Sequence, residues 1–393
     1  MGAAWDRPAP EAVRPARPDA AGLDLPALRE LMLSLGEPAW RGSQLFEGLY
    51  RQRWTDWAEF TILPKPLRAR LAEAVDLRGP EIVQSRPSED GATKHAFQLA
   101  DGKQVEGVFM PYEDRVTLCL SSQVGCAMGC TFCATGGMGI LRNLTAAEIV
   151  GQVVAMLNHH GHAAGVPVNL VFMGMGEPLH NLDHLMAAFA ILTNPKGLAI
   201  PPRRITVSTS GLVSGIERLG TFPKRPRLAL SLNATTDEQR SRIMPVNRVW
   251  NLEALAEALA RFPLQSGERI TLEYVLMKGV SDSLEDGRRL AAFARRFPSK
   301  VNLIPFNVHE GGAGVERHGT GGSAQRVRAR DGAHEDRAFE PPDESRLGAL
   351  CRQLVEAGLT VSVRRSRGQD VGGACGQLVR SLHRSLPSTE EEG

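Results

Sequence analysis

The sequence predicts an α/β fold: a partial barrel of six strand–helix units, preceded by a small helical domain and a β-extension. Three observations carry this expectation. From residue 116 onward, short β-rich runs alternate with amphipathic stretches, the pattern that builds parallel sheets with right-handed crossovers. Before residue 78 apolar residues recur at helical spacing, and strand-like runs with Asp-Gly turns follow. Finally, 393 residues with 42% hydrophobic and 23% charged side chains can bury a full core without staples, which excludes a disordered, collagen-like or mucin-like chain.

Residues 1–22 hold four prolines and no apolar stretch, so they read as a disordered arm rather than a secretory signal. Over 23–78, Leu28, Leu31, Met32 and Leu35, then Leu45, Phe46, Leu49 and Tyr50, mark helices of an accessory domain. The 79–115 extension contains EIVQSR, HAFQLA and QVEGVFMPY, separated by Glu89-Asp90-Gly91 and Asp101-Gly102, both hairpin signals. Residues 116–380 form the barrel domain. Its strands are VTLCL (116–120), VNLVFM (168–173), ITVST (205–209), LALSL (228–232), ITLEYVLM (270–277) and VNLIPF (301–306). Helices are expected between them, for example over 145–158, 252–262 and 284–297, and a last helix over 344–357 precedes TVSVR (360–364). Six such units favour a partial barrel of the TIM type, whose chemistry belongs at the C-terminal strand ends. Residues 309–342 lack Leu, Ile, Met, Trp and Tyr and carry seven glycines, so they read as a mobile insertion. Residues 381–393 form a polar tail.

Net charge is only +2, but residues 201–250 hold nine Lys/Arg against three Asp/Glu. A basic face on a near-neutral protein fits an anionic partner such as RNA. No run approaches the ~20 apolar residues of a membrane span, so a cytoplasmic location is expected, and nothing calls for assembly beyond a monomer. Six cysteines are no disulfide scaffold; clustered thiols in a reducing compartment point to metal binding or catalysis.

Cys126, Cys130 and Cys133 have C-x3-C-x2-C spacing just after a predicted strand, among Gly125, Gly129, Gly136 and Gly137. Structural zinc wants four protein ligands, and no fourth Cys or His lies at a paired spacing; His159, His160 and His162 sit beyond a predicted helix. Three thiolates can instead hold three irons of a [4Fe-4S] cluster and leave one iron open for a small-molecule chelate. GMGEP (174–178) ends a strand, where glycines allow close ligand approach and Glu177 can accept hydrogen bonds from an ammonium. Ser208, Ser231, Leu232, Asn233 and Asn307 also sit at strand ends, where hydroxyl and amide groups can hold a ligand.

The cysteine motif, together with FMGMGEPLHN, ITVSTSGLV, LALSLNATTDEQRSRIMPVNR, VNLIPFNV and VSVRRSRGQDVGGACGQL, resembles the RlmN/Cfr family of radical S-adenosylmethionine (SAM) RNA methyltransferases. The resemblance runs from about Leu23 to Leu378 and implies a radical SAM barrel. It implies that Cys126, Cys130 and Cys133 bind the cluster, whose open iron chelates SAM, and that Gly176, Glu177, Ser208, Ser231, Leu232, Asn233 and Asn307 contact SAM. Some relatives carry histidine where Asn233 stands. It further implies that Cys375 is methylated by one SAM, that a radical from a second SAM activates that methyl group, that Cys119 resolves the protein–RNA adduct through a transient disulfide, and that Glu106 is the proton acceptor. Such chemistry suits an electrophilic ring carbon, which gives an ordinary methyl transfer no nucleophile. The implied partners are 23S rRNA and tRNA, with an electron donor such as flavodoxin or ferredoxin. The target would be carbon 2 of an adenosine in the peptidyl transferase centre and of one beside the tRNA anticodon. Carbon 8 of the same rRNA adenosine is the Cfr-like alternative; LRNLTAAEI and LFEGLYRQRWTDWAEF resemble the RlmN branch more. The alternative of another class is a non-catalytic RNA-binding protein with a structural metal, which predicts zinc and no SAM cleavage. Cys351, with Leu347, Leu350 and Leu354, reads as core.

Overall fold

Strand–helix alternation resolves into one ten-stranded sheet in a computed structural model that describes residues 10, 17–163, 165–308 and 339–378. Three helices come first: α1 (Leu25–Ser34), α2 (Arg41–Phe46) and α3 (Lys65–Ala74). Asp24 caps α1 by accepting from Ala27 N–H, and a π-helical turn over Glu47–Gln52 prolongs α2. The helices bury Leu28, Met32, Leu45, Phe46, Tyr50 and Leu71. Residues 17–22, expected within the disordered arm, are instead packed. Ala20 is fully buried, its N–H donates to Asp76 O, and Tyr50 Oη donates to Leu23 O at 2.8 Å. The remaining arm (apart from Pro10), most of the expected insertion, and the tail lie outside the described residues.

The extension is an antiparallel meander of β1 (Glu81–Pro87), β2 (Thr93–Gln98) and β3 (Gln104–Pro111), with both Asp-Gly turns in place. Gly91 and Gly102 take φ of 82° and 80°, where a side chain would be strained. β3 pairs antiparallel with β4 (Val116–Cys119), so the meander joins the barrel sheet directly. A two-stranded hairpin, β5 (Gln123–Cys126) with β6 (Gly139–Asn143), encloses the cysteine loop; the sequence reading had no strands there.

The barrel continues through α4 (Ala146–His159), β7 (Val168–Phe172), α5 (Leu182–Leu192), β8 (Ile205–Thr209), α6 (Val213–Gly220) and β9 (Arg227–Ser231). It ends with α7 (Asp237–Ile243), α8 (Leu252–Arg261), β10 (Ile270–Leu276), α9 (Leu284–Ala294), β11 (Ser299–Pro305), α10 (Glu344–Glu356) and β12 (Val361–Val363). The sheet order is β1-β2-β3-β4-β7-β8-β9-β10-β11-β12, and every pair from β4 onward is parallel. Leu118, Leu170, Val207, Leu230, Leu272 and Leu303 are completely buried, as two-sided packing requires. Capping boxes start α4 (Thr145 with Glu148) and α9 (Ser283 with Asp286).

β1 and β12 are the sheet's two edges, so the barrel does not close through strand pairing. The segment after β12 crosses the seam instead. Gly368 N–H donates to Asp90 Oδ2, Ser88 Oγ donates to Asp370 Oδ1, and Arg367 reaches the carbonyls of Asp90 and Pro111. This crossing carries Cys375 to the mouth.

Candidate active site

Cys126 ends β5 opposite Gly139, and Cys130 and Cys133 follow on the loop, where Cys133 N–H donates to Cys130 O at 3.2 Å. Gly125 has φ 79°, and a Cβ there would lie 2.0 Å from Gly139 O, so the hairpin closes only with glycine. The three cysteines line one cavity at the C-terminal strand ends, with about 940 Å³ of empty space, open mouth included. Burial and then mutual repulsion push the thiols up: Cys126 far above its usual range and Cys130 to about 12, with Cys133 raised by burial. Thiols in this setting ionise when a strong cationic centre takes them as ligands. Three such soft donors on a glycine-bearing loop fit an iron–sulfur cluster with one open iron.

Beside the loop, Gly176 has φ 104°, and a Cβ there would sit 2.6 Å from Gln123 Cβ. Gln123 Oε1 accepts from Glu177 N–H at 2.9 Å, locking the GMGEP turn to β5. The Glu177 carboxylate is buried and accepts from Ser210 N–H and Ser210 Oγ, both at 2.8 Å, and from Leu179 N–H. Burial nevertheless raises its pKa, and these donors only partly offset the penalty. Ser208 and Ser231 place their Oγ atoms 3.1 Å apart on neighbouring strand ends. Asn233 holds the left-handed conformation (φ 58°) that asparagine tolerates better than most residues, and its Oδ1 accepts from Val275 N–H. Gly176, Glu177, Ser208, Ser231, Asn233 and Asn307 all line the cavity. Leu232 does not: its side chain is fully buried, and its N–H and C=O are engaged by Glu273 O and Arg240 Nε.

Cys375 lines the same cavity, and Gly376 O accepts from Ala134 N–H next to Cys133. The Asn307 amide is committed to this segment. Its Nδ2 donates to Cys375 O at 3.1 Å and Ser366 Oγ at 3.0 Å, and its Oδ1 accepts from Gln369. Cys119 ends β4, buried behind the lining, with its thiol pushed up to about 12 by burial and then by Cys375. Both cysteines are free thiols. Arg364 lies within electrostatic reach of both, and its neighbours Cys375, Glu273 and Cys119 strengthen its hold on its proton against burial. Glu106 on β3 is buried outside the lining, 3.1 Å from Lys94 Nζ. Lys94 also donates to Gly372 O, so one ammonium links Glu106 to the Cys375 segment. Burial lowers the Lys94 pKa, and Glu106 opposes that shift.

The sequence missed Arg364, Glu273, Lys94 and Gln369 as site residues. Arg364 lies in the block VSVRRSRGQ, but which of its arginines turns inward depends on the β12 register. The basic segment needs a correction. Arg203, Arg204, Lys224 and Arg227 precede or begin β8 and β9, at the barrel end opposite the cavity. Arg225 is buried on Glu268 and against the Phe262 ring. Arg240 is fully buried and holds the carbonyls of Ser210, Ser231 and Leu232. Arg242 and Arg248, which follow β9, stay exposed. Arg68 and Arg70 of the accessory domain likewise hold Trp57, Ala58 and Leu35 carbonyls.

A seven-strand parallel array with a three-thiol loop after its first strand and a ligand cavity at its C-terminal ends defines a radical SAM enzyme. The radical SAM superfamily model matches residues 120–291, and the model of the ribosomal RNA large subunit methyltransferase N-terminal domain matches 19–77. The dual-specificity RNA methyltransferase RlmN of Geobacter sulfurreducens is 45% identical over 94% of this chain and 94% of its own length. The probable RlmN of Thermus thermophilus is 41% identical over 94% and 97%. A radical SAM methyltransferase from Sphaerobacter thermophilus superposes with a TM-score of 0.82 at 40% identity, covering 92% of this chain and 99% of that one. The chain belongs to the RlmN family of radical SAM RNA methyltransferases.

Proposed function

We propose that this enzyme methylates carbon 2 of adenosine in 23S rRNA and beside the tRNA anticodon, carrying the methyl group on Cys375. The observation that supports this most is the seam crossing, which brings Cys375 into the cavity of the three-thiol loop with Cys119 and Arg364 alongside. The relatives' dual-specificity name supports two RNA classes. A cluster held by Cys126, Cys130 and Cys133 would supply, when bound, the electron for reductive cleavage of SAM, delivered by a flavodoxin- or ferredoxin-like donor.

The chain's own residues divide the remaining work. Glu177, Ser208 and Ser231 offer oxygens to SAM's ammonium and hydroxyl groups, while Gly176 packs bare against Gln123 and sets the turn that carries Glu177. Cys375 Sγ gives up its proton and takes a methyl group as the carbon–sulfonium bond of SAM breaks, with the Arg364 guanidinium in electrostatic reach. The methyl group on Cys375 gives a hydrogen atom to the 5′-deoxyadenosyl fragment of a second SAM, its carbon bonds to the adenine ring, the ion-paired Glu106 carboxylate accepts the ring proton, and the one electron left on the ring passes to the flavodoxin- or ferredoxin-like partner. The Cys119 thiolate then attacks Cys375 Sγ; the sulfur–carbon bond breaks toward carbon, which takes up a proton to complete the methyl group, and the methylated base leaves as a Cys119–Cys375 disulfide remains. The buried Cys119 thiol is a poor nucleophile until it ionises, and Arg364 lowers that barrier. The adenine must reach this depth unstacked.

The test is nucleoside mass spectrometry after anaerobic reaction of cluster-loaded protein with SAM, reductant and unmodified rRNA and tRNA fragments, with Cys375→Ala as control. 2-Methyladenosine, absent from the control, is the expected product. 8-Methyladenosine would keep the mechanism and overturn the regiochemistry. SAM cleavage with neither nucleoside would overturn the RNA assignment.

A further inference from the structure

β2 serves two sites at once. Lys94 faces Glu106 and the Cys375 segment, while its neighbour His95 faces the end of α4, where His159 and His160 lie. The three imidazoles converge there with near-threefold symmetry. The His95 ring centroid is 5.0 Å from each of the other two, those two are 5.1 Å apart, and the interplanar angles are 74°, 72° and 70°. One ligand nitrogen from each lies within 4.8 Å of the others. Three imidazoles binding one tetrahedral ion at about 2.0–2.1 Å hold their ring centroids roughly 5 Å apart, so the spacing is that of a metal site.

The surroundings point the same way. Ser85 Oγ on β1 lies 2.9 Å from His95 Nδ1, which directs His95 Nε2 toward His160 Nε2 at 2.8 Å. A hydrogen bond to the remote nitrogen is how metal-binding histidines are oriented. Phe109 stacks on His160 with centroids 3.7 Å apart and planes 9° from parallel, fixing that ring. α4 ends at His159, so the negative end of a fourteen-residue helix faces the cluster. His95 is fully buried and His159 exposed, giving a walled site with one side open to solvent. Burial and the neighbouring rings hold His95 to about 3 and lower His160, and the neutral imidazole is the ligand form.

We propose that His95, His159 and His160 bind one divalent transition-metal ion, zinc by its tetrahedral preference, with water as the fourth ligand. The ion staples the β-extension to the C-terminus of α4, the helix that follows the cysteine hairpin. It thereby braces the strand whose other face carries Lys94.

Cluster-loaded protein is equilibrated with zinc chloride and desalted, and its zinc and iron are measured by mass spectrometry alongside zinc-edge X-ray absorption. One zinc per chain at unchanged iron, with an imidazole nitrogen/oxygen shell and no sulfur, is the expected result. His159→Ala changes an exposed side chain and so spares the fold; it should weaken zinc binding by at least about tenfold, as should His95→Gln. A sulfur shell would put zinc on the cysteines and overturn the proposal. So would failure of the native protein to retain zinc, or retention undiminished in both variants.

Discussion

Arg240 joins stability to the Glu177 side of the cavity, and Arg240→Met separates the two. The side chain is completely buried. Nε donates to Leu232 O at 3.1 Å, Nη1 to Asn247 Oδ1 at 3.2 Å, and Nη2 to the carbonyls of Ser231 and Ser210. Burial lowers its pKa to about 10, so it remains charged at neutral pH. Methionine keeps much of the length and removes every donor; Leu232 O keeps the Ala234 N–H, so up to three acceptors are stranded. Each buried unsatisfied acceptor costs about 1–3 kcal/mol, so three at the low end cost about 3 kcal/mol. Losing the buried charge returns part of this, because its desolvation penalty disappears. The expected net loss is about 1–3 kcal/mol, a large share of the ~5–15 kcal/mol that holds a typical protein folded. Ser210 donates twice to Glu177, so SAM affinity should fall about tenfold as well. Urea unfolding and equilibrium dialysis of SAM against cluster-loaded protein read the two effects. An unchanged unfolding midpoint would refute the structural role, and native SAM affinity at a lowered midpoint would refute the coupling to the site.

Four further outcomes follow from the same geometry. Asn307→Ala should slow methylation at least tenfold while changing SAM affinity less than threefold, because its amide holds the Cys375 segment; a loss confined to SAM affinity would restore the direct-contact role. Gly176→Ala forces a Cβ toward Gln123 at a φ that costs about 1–3 kcal/mol, and should lower both the unfolding midpoint and SAM binding. Cys119→Ala should leave SAM cleavage intact and accumulate a covalent protein–RNA adduct on denaturing gels, since nothing then attacks Cys375. In metal-free protein His95 titrates near 3 instead of its usual 6.5, so the unfolded state binds more protons within that window. Stability should therefore be full above about pH 6.5 and fall by up to about 1.4 kcal/mol per unit below it, and His95→Gln should flatten the slope.

Much of this protein was legible in one dimension, for a local reason. Strand runs, helical stripes and Asp-Gly turns are encoded within a few residues, so all six barrel strands and the meander fell where periodicity put them. The cysteine motif, GMGEP and the strand-end serines were equally readable, since parallel strands deliver their C-terminal ends to one face. Leu347, Leu350 and Leu354 are buried as read, while Cys351 packs against that core only half-buried.

Tertiary structure decided what depends on depth and on distant pairing. A run of basic residues looks alike whether it faces RNA or a buried carbonyl. Arg225 and Arg240 went inward because Glu268 and the strand-end carbonyls awaited them, and Arg203 and Arg227 fell at the far barrel end because of strand direction. Asn307 lines the cavity and also holds the Cys375 segment, because the open sheet lets that segment cross the seam. Cys119 and Cys375 stand 256 positions apart in the chain, and Arg364 comes within electrostatic reach of both only once β12 is in register beside β11. His95 and the His159–His160 pair meet for the same reason: β2 and the end of α4 share no local pattern, and only packing the meander against that helix makes three histidines one cluster.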